Sequence, residues 1–540
     1  MQKTANVSIF LIISILIFGT AVFANQLGLD SNPGWGKGRI ALLTFGLVVA
    51  LIPWVISRQS AARNKTTDTD LFTFPALLVV VGIYFWFMSA SHNLSSSYYS
   101  LLATSFRAGN LFLPLKPDPA LLQLPNPYDP ATRVGIKAPL DLTLYNGKFY
   151  LYWGPAPSLF LAVARPLLPE KIGEVDLLFV FLCGIFLAEF LLIMNIWERF
   201  FPQIPKWILI LSLLLAGLAN PALWLLSQPK IYEAAIAGGQ FFFIAGLAFA
   251  VLALDRQSPS GWRLAIAGIF WALAVGTRSV LVFPIFFMTL MVIYRLIKIY
   301  GLSAAKLTRR LTPLGLPLFV GALGFAWYNY ARFGSIFETG FTYQLAGPYL
   351  QKHLNELFSP VYIFQNLYNY LFNPFVVDRY FPFIHPIRGL VEEVLPSQSL
   401  PLYLAQSITG LLFSVPFAVF AIVPIVILLK QWFKRDRSND PSEDRMGLPY
   451  HWIVISLFGS FMLTFMSLLS FFWSAMRYME DFIPALILLS IIGFFYGHQS
   501  FSQTSGKRKL YTLLGIMLAC GNTASGILLA ISNYLSIHKQ

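Results

Sequence analysis

The sequence predicts an all-α polytopic membrane protein, a bundle of about 13 transmembrane helices with one further helix lying in the membrane interface. Three observations predict it. Only 11% of the 540 residues are charged while 57% are hydrophobic, a balance foreign to soluble domains. Apolar runs such as 71–90 and 510–531 match the ~20 residues a helix needs to cross ~30 Å of hydrocarbon. The ten-residue alternating segments of a membrane barrel are missing.

In chain order, candidate spans fall at 7–24, 39–57, 71–90, 175–196, 207–226, 236–254, 264–277, 279–293, 312–329, 401–429, 448–471, 478–497 and 510–531. Lys3, an apolar core and Ala24 make the first run either a cleaved signal or a retained helix. Residue 25 emerges on the same side in both cases. The pair 264–277 and 279–293 is short for two crossings, with Arg278 at its tip. Segment 153–168 rises only ~24 Å as a helix and contains Arg165, so it is predicted to lie flat at the outer interface. That assignment agrees with the charges, because short cytoplasmic loops collect Lys and Arg. With it, the inside loops hold 21 of the 38 Lys and Arg in 86 residues, against 17 in 195 on the other side. Four regions follow: 1–70, two N-terminal transmembrane helices; 71–347, a membrane module with the long outer loop 91–174; 348–400, an outer-face loop region; and 401–540, C-terminal transmembrane helices.

A net charge of +14 raises the question of nucleic acid, but no basic cluster alternates with exposed aromatics, and no nucleic-acid partner is expected. Cys183 and Cys520 both sit in apolar runs without CxxC spacing. Neither a phosphate-binding GxxxxGK[ST] nor a GxSxG nucleophile motif occurs. His353 and Glu356 have helical spacing and His385 follows, which is too thin a ligand set to assign a metal. The two halves share no internal repeat, against an inverted-repeat transporter. Glu189, inside 175–196, reads as a bundle-facing hydrogen-bonded residue.

Polar chemistry gathers in 91–174 and 330–400, both rich in Pro, Tyr, Asn and Gly. Within "DLTLYNGKFYLYWGPAPSLF" (141–160), Asn146 and Gly147 are expected to form a tight turn. Tyr145, Tyr150, Tyr152 and Trp153 suit the headgroup level. Asp141 and Lys148 are either turn and surface residues or functional ones. Asp129, between prolines in "NPYDP", reads as a turn residue. Further candidates close other helices: Lys230, Tyr232 and Glu233 in "QPKIYEAA", Arg278 in "GTRS", Arg332 in "YNYARFGS", and Arg477 with Asp481 in "RYMEDF". A guanidinium fork suits a phosphate or diphosphate, the alternative being snorkelling to headgroups.

"YYSLLATSFRAGNLFL" followed by "DLTLYNGKFYLYWGPAPSLF", then "GTRSVLVFP", "YNYARFGSIFETGFTYQLAG" and "RYMEDFIP", resembles GT-C-type integral membrane glycosyltransferases, the group that includes protein O-mannosyltransferases and aminoarabinose transferases. The resemblance runs over roughly 71–497. It implies a first outer loop that supplies an acidic catalytic residue, a sugar donor on a polyprenyl phosphate, and a bundle that holds the lipid tail. It further implies a multi-pass protein of the plasma or inner membrane, part of the cell envelope, with its active site on the outer face. Its partners are then the polyprenyl-phosphate sugar, a glycan, lipid or protein acceptor, and membrane lipids. No cofactor is expected beyond the lipid-linked co-substrate. Where many members carry an Asp-Glu pair, this chain reads Ser95, Ser96, Ser97. The catalytic carboxylate then comes from elsewhere or activity is absent. On this reading Asp141 is the first candidate base and Asp129 the second. Lys148, Arg278 and Arg332 are candidate phosphate ligands, and Tyr145, Tyr152, Lys230 and Arg477 complete the substrate site. The alternatives are a lipid or lipid-linked oligosaccharide transporter, or an inactive polysaccharide-assembly component of the same fold.

The charge distribution is checked by single cysteines at Ser96 and Ser303 in a background lacking Cys183 and Cys520. An impermeant thiol reagent added outside should label Ser96→Cys and spare Ser303→Cys; equal labelling overturns the topology.

Overall fold

The computed structural model describes residues 67–91, 97–167, 172–254, 258–391, 402–435 and 447–538, with scattered positions between 14 and 46. Most of the spans predicted at 7–24 and 39–57 lies outside the described residues, as do Ser95 and Ser96.

The chain from residue 67 runs α1 (Thr67–Ala90), α2 (Tyr98–Arg107), β1 (Thr143–Tyr145), β2 (Lys148–Tyr150), α3 (Ala156–Ala164), α4 (Glu174–Phe200), α5 (Lys206–Leu218), α6 (Ala222–Ser227), α7 (Ile231–Leu254), α8 (Gly261–Val275), α9 (Val282–Tyr300), α10 (Ala304–Phe333), α11 (Ile363–Leu371), β3 (Phe375–Val377), β4 (Ile384–Arg388), β5 (Leu404–Ala405), β6 (Ser407–Ile408), α12 (Ile422–Arg435), α13 (Gly447–Leu469), β7 (Trp473–Ser474), α14 (Ile483–Ser500) and α15 (Ser505–His538), with short helical turns between them. Among the described residues, eight helices are long and apolar enough to cross a membrane. Three shorter apolar helices, Lys206–Leu218, Gly261–Val275 and Pro416–Gln431, accompany them. Each span predicted from residue 71 onward has a helix in this set, and the molecule is an all-α polytopic membrane protein.

The boundaries differ in places. The predicted span 207–226 is broken at Ala219–Pro221, because proline supplies no backbone donor and cannot continue a helix that enters it. The predicted span 401–429 begins only at Pro416, since residues 404–408 form strands: β5 pairs in parallel with β7, and β6 antiparallel with β4. The short pair around Arg278 lengthens to Gly261–Val275 and Ser279–Tyr300.

α7 is the central helix, buried along most of its length between α4 and α8. Small residues let it approach: a Cβ at Gly238 would stand 2.8 Å from the Phe181 ring, and one at Gly246 2.4 Å from Trp271. Such seams are how helices associate in lipid, where burying apolar surface against protein offers little advantage. α10 sits on the outside, held to α8 by Gly268 under the Leu314 carbonyl and Gly321 against Ala272. Its far face exposes Leu316, Phe319, Leu323 and Trp327, as a lipid-facing helix should.

The predicted interfacial segment contains the nine-residue α3, which rises ~14 Å and cannot span a bilayer. It buries Ser158, whose hydroxyl donates to the Tyr99 carbonyl at 3.0 Å, while Leu159, Phe160 and Val163 are exposed. Its outward face is apolar, as suits a helix at a membrane surface.

The loops 110–154 and 334–362, the start of α7, the Arg278 turn and residues 472–481 all meet at one end of the bundle. Thr143 bridges Gln344, and the chain after it descends to the α8–α9 turn, where Ala156 N donates to Gly276 O at 3.0 Å. Gly154 makes this approach feasible, since a Cβ there would lie 2.2 Å from Gly276 O and 2.7 Å from Thr277 O. Gly154→Ala should destabilise the protein by ~1–3 kcal/mol, as overpacking does. Gly324→Ala, where a Cβ meets nothing within 4 Å, should be neutral or slightly stabilising. Thermal unfolding of both variants in detergent checks the pair.

Candidate active site

The site is built around Asp141. Its backbone has φ 65°, a left-handed conformation that Asp tolerates better than most residues and that recurs at functional positions. Two backbone hydrogen bonds hold it there, Asp141 N to Leu345 O at 3.0 Å and Leu345 N to Leu142 O at 2.8 Å. Beyond it, Asn146 and Gly147 take φ 48° and 69° and close the predicted turn, pairing Tyr145 with Lys148. The Asp141 carboxylate is thereby turned toward α7. Gln344 Nε2 donates to Oδ1 at 2.9 Å, and the Tyr232 hydroxyl donates to Oδ2. Burial pushes this carboxyl above the ordinary aspartate range, opposed by the Gln344 hydrogen bond and by the charges of Arg477 and Arg133.

Tyr232 connects Asp141 to the cations. Its ring lies edge-on to Trp153 at 5.2 Å and beneath the Arg477 guanidinium at 4.9 Å. Arg477 donates from Nη1 to Gln406 Oε1 at 2.6 Å and stands 4.0 Å from Glu233 Oε1. Arg278, at the α8–α9 turn, pairs with Asp481 Oδ2 at 2.5 Å, and its aliphatic stem packs over Gly239 of α7. Tyr152 sits amid both pairs, within electrostatic reach of Asp141, Tyr478, Arg477 and Arg278, and burial raises its phenol well above the usual value. Four buried polar atoms of these pairs have no protein partner: Glu233 Oε2, Arg278 Nε, Arg477 Nε and Asp481 Oδ1. Unpaired groups of this kind are rare in folded proteins and mark a place for water, an ion or a substrate.

The predicted residues separate into two sets. Asp141, Tyr152, Arg278 and Arg477 converge as described. Arg332 is buried, and its four hydrogen bonds run to protein acceptors: Tyr328 O, Leu151 O at 2.7 Å, Asn329 Oδ1 at 2.8 Å and Thr339 O. It fastens residue 151 to α10, with its guanidinium stacked 3.8 Å from the Tyr328 centroid. Lys148 is exposed and lays its ammonium 4.3 Å over the Phe112 ring. Tyr145 packs on Phe333 and Tyr343 in an aromatic cluster. Lys230 is exposed at the entry to α7. Asp129 Oδ1 accepts from Ala131 N at 2.9 Å and caps a short helical turn, the role its flanking prolines suggest. His353 contacts Glu356 at 2.7 Å, whereas His385 stands with Ser532 and Asp378. Among the described residues no three metal-ligating side chains come together.

Sequence reasoning missed Gln344, Gln406 and Arg133. Neutral glutamines carry no pattern, and Arg133, whose Nη2 donates to Ala346 O at 2.5 Å, lies in an unremarkable loop. Glu189 faces the bundle interior as expected, but not alone. It faces Glu480 across a small cavity lined by Tyr84, Ile185, Ala219 and Ile487, a second acid that the sequence does not place opposite it.

Fold and site together define a polytopic helical membrane protein in which the charged side chains of Asp141, Glu233, Arg278, Arg477 and Asp481 meet at one end of the bundle. No protein-family model and no curated protein matches the chain. It is similar to the crystal structure of the Archaeoglobus fulgidus oligosaccharyltransferase, tethered through a disulfide bond to an acceptor peptide containing the NVT sequon. The TM-score is 0.41 at 11% identity, over 85% of this chain and 55% of that one, so the chain spans about half the length of that protein.

Arg332→Ala should cost ~2–4 kcal/mol, since it strands buried acceptors that were bonded to a charged group. Lys148→Ala should change stability by less than ~1 kcal/mol, the worth of an exposed cation–π contact. Thermal unfolding of the purified variants distinguishes the two arrangements.

Proposed function

We propose that the chain is a membrane glycosyltransferase, moving a sugar from a polyprenyl-phosphate-linked donor to an acceptor on the outer face of the membrane. One observation carries the reading: a carboxylate positioned by Tyr232 and Gln344 lies in the field of Arg477, and Tyr152 lies within electrostatic reach of that carboxylate and of both Arg477 and Arg278, whose Nε atoms are buried and unpartnered. Transfer from a lipid phosphate needs that combination. As the bond from the anomeric carbon to the phosphate oxygen breaks, its electron pair stays with the phosphate, where Arg278 and Arg477 offset the charge. The acceptor oxygen forms the new bond to the anomeric carbon, and Asp141 takes its proton. Tyr232 fixes the direction of the carboxylate, while Tyr152 and Trp153 offer aromatic surface to a sugar. The sequence motifs shared with GT-C-type enzymes support the donor class, and the lower density of Lys and Arg on this side supports the outer face. The acceptor is a glycan, lipid or protein bearing a nucleophilic group.

The Glu189–Glu480 pair favours the second reading, transport of a lipid-linked sugar, because paired acids inside a bundle are a common device for ion coupling. The two readings separate in one preparation. Asp141→Asn should lower the turnover of sugar transfer by ~10²–10⁴-fold with donor binding unchanged. Arg278→Lys, which keeps the charge and loses the fork, should weaken donor binding. Retention of transfer within about threefold in Asp141→Asn removes it as the base. Wild-type protein that flips the donor across vesicles without transferring its sugar, and stops in Glu189→Gln, establishes the transporter.

The raised Asp141 carboxyl also sets a pH dependence. A base must be ionised, so kcat/KM should rise with pH through the folded pKa. That acid limb should lie above pH ~4, the ordinary aspartate value, and vanish from the residual rate of Asp141→Asn. A limb at or below pH ~4 assigns the base to another group.

A further inference from the structure

Residues 363–388 combine two features that an aqueous loop would not. α11 buries all three of its amide side chains while leaving aromatic side chains exposed. Gln365, Asn366 and Asn369 are fully buried, whereas Phe364, Tyr368 and Phe372, spaced four apart on one face, are exposed. The buried amides have specific partners. Asn366 Nδ2 donates to Leu469 O at 2.9 Å and Phe471 O at 2.7 Å, and its Oδ1 accepts from Tyr403. Asn369 Nδ2 donates to Leu390 O at 3.0 Å and Ser474 Oγ at 3.1 Å, and its Oδ1 accepts from Leu390 N. The helix is therefore fastened by its polar face to the end of a membrane span, α13. A nine-residue helix with this polarity in water would expose hydrocarbon while burying amides, the reverse of the usual arrangement.

Exposed apolar side chains recur in the β3–β4 hairpin that follows. Val376 and Val377 are exposed on β3, and the tip exposes Tyr380, Phe381 and Phe383 beside Asp378 and Arg379. Val377 and Tyr380 are 71% and 79% exposed, values that in water mark a binding surface. β4 packs on α15, another membrane-spanning helix, through contacts that include His385 Nδ1 to Ser532 Oγ at 2.8 Å. The two parts of the element are thus attached to two membrane-spanning helices, α13 and α15. Tyr, Phe and Arg are the residues that favour the boundary between headgroups and acyl chains.

We propose that α11 and the β3–β4 hairpin lie in the lipid surface, as a second interfacial element alongside α3, and that their partner is the phospholipid bilayer. This goes beyond the enzymatic reading and does not depend on it. It also gives the site a fixed depth. β4 pairs with β6 at Ile387–Ile408, and Gln406, which precedes β6, receives the hydrogen bond from Arg477. An element seated in the headgroups therefore holds one of the site's two arginines at the level of the membrane surface, where a lipid-borne phosphate travels.

The test uses the full-length chain in phosphatidylcholine vesicles, without Cys183 and Cys520. Nitroxides are attached at single cysteines replacing Tyr368, Val377 or Tyr380. Val377 and Tyr380 are exposed enough that labelling leaves the fold intact. Power saturation compares collisions with oxygen, which concentrates in lipid, against a water-soluble nickel chelate. Controls are Phe319→Cys on the lipid-facing side of α10 and Leu302→Cys in the exposed α9–α10 loop. The proposal expects all three labels to favour oxygen severalfold over the chelate, as Phe319→Cys does. Accessibility to the chelate equal to that of Leu302→Cys places the element in water and overturns it. Shielding from both reagents, or spin–spin broadening between labels, assigns the face to a protein partner or a second copy and overturns it equally.

Discussion

The close approach of residues 141–154 to the bundle is the contact on which the polar end of the molecule depends. Gly154 lies under the Gly276 and Thr277 carbonyls at a separation no Cβ would permit, and Asp141 is fastened by backbone hydrogen bonds to Leu345. Between these two points the hairpin is constrained in height and direction. Asp141 consequently meets Tyr232 of α7, and Tyr152 comes within electrostatic reach of Arg278 and Arg477. Were the strap a few ångströms higher, the carboxylate would be a solvated turn residue and the arginines would face only their own acids.

The bilayer imposes the second constraint. Lipid offers no hydrogen bonds, so spans must satisfy their own backbone and charge must go to the ends. Five segments far apart in sequence therefore deliver their polar side chains to one end of the bundle. α3 and α11 bear on the same constraint: Ser158 of the first and Asn366 and Asn369 of the second are hydrogen-bonded to protein, while Leu159, Phe160, Val163, Phe364 and Tyr368 stay exposed. Glu189 and Glu480 are the exception inside the bundle. Both line one small cavity within it.

The arginines divide by how fully their donors are used. Arg332 spends its donors on carbonyls and an amide and stacks on two rings, which makes it a rivet between α10 and residue 151. Arg278 and Arg477 each face an acid yet leave Nε unmet. Desolvation is costly, and a buried donor without a partner gains most from an arriving anion. That difference, and not the presence of an arginine at a helix junction, is what nominates a phosphate ligand.

Several features were legible in the residues themselves. Apolar runs of the right length located every described span, since the hydrocarbon thickness fixes how many helical residues are needed. Segment 153–168 was too short to cross, and Asn146–Gly147 could close a turn because both tolerate positive φ. The prolines around Asp129 marked it as a cap. These are local properties, set by spacing and backbone sterics. The rest required the folded chain. Nothing in "FTYQLAG" announces that Gln344 will hold Asp141, and nothing distinguishes Arg332 from Arg278 before the acceptors around each are known. Glu189 looks solitary until the turn before α14 brings Glu480, 291 positions further along the chain, to the same cavity. Polarity and length are written along the chain, but the partner of a side chain depends on which helices pack together, and that is decided only by the tertiary structure.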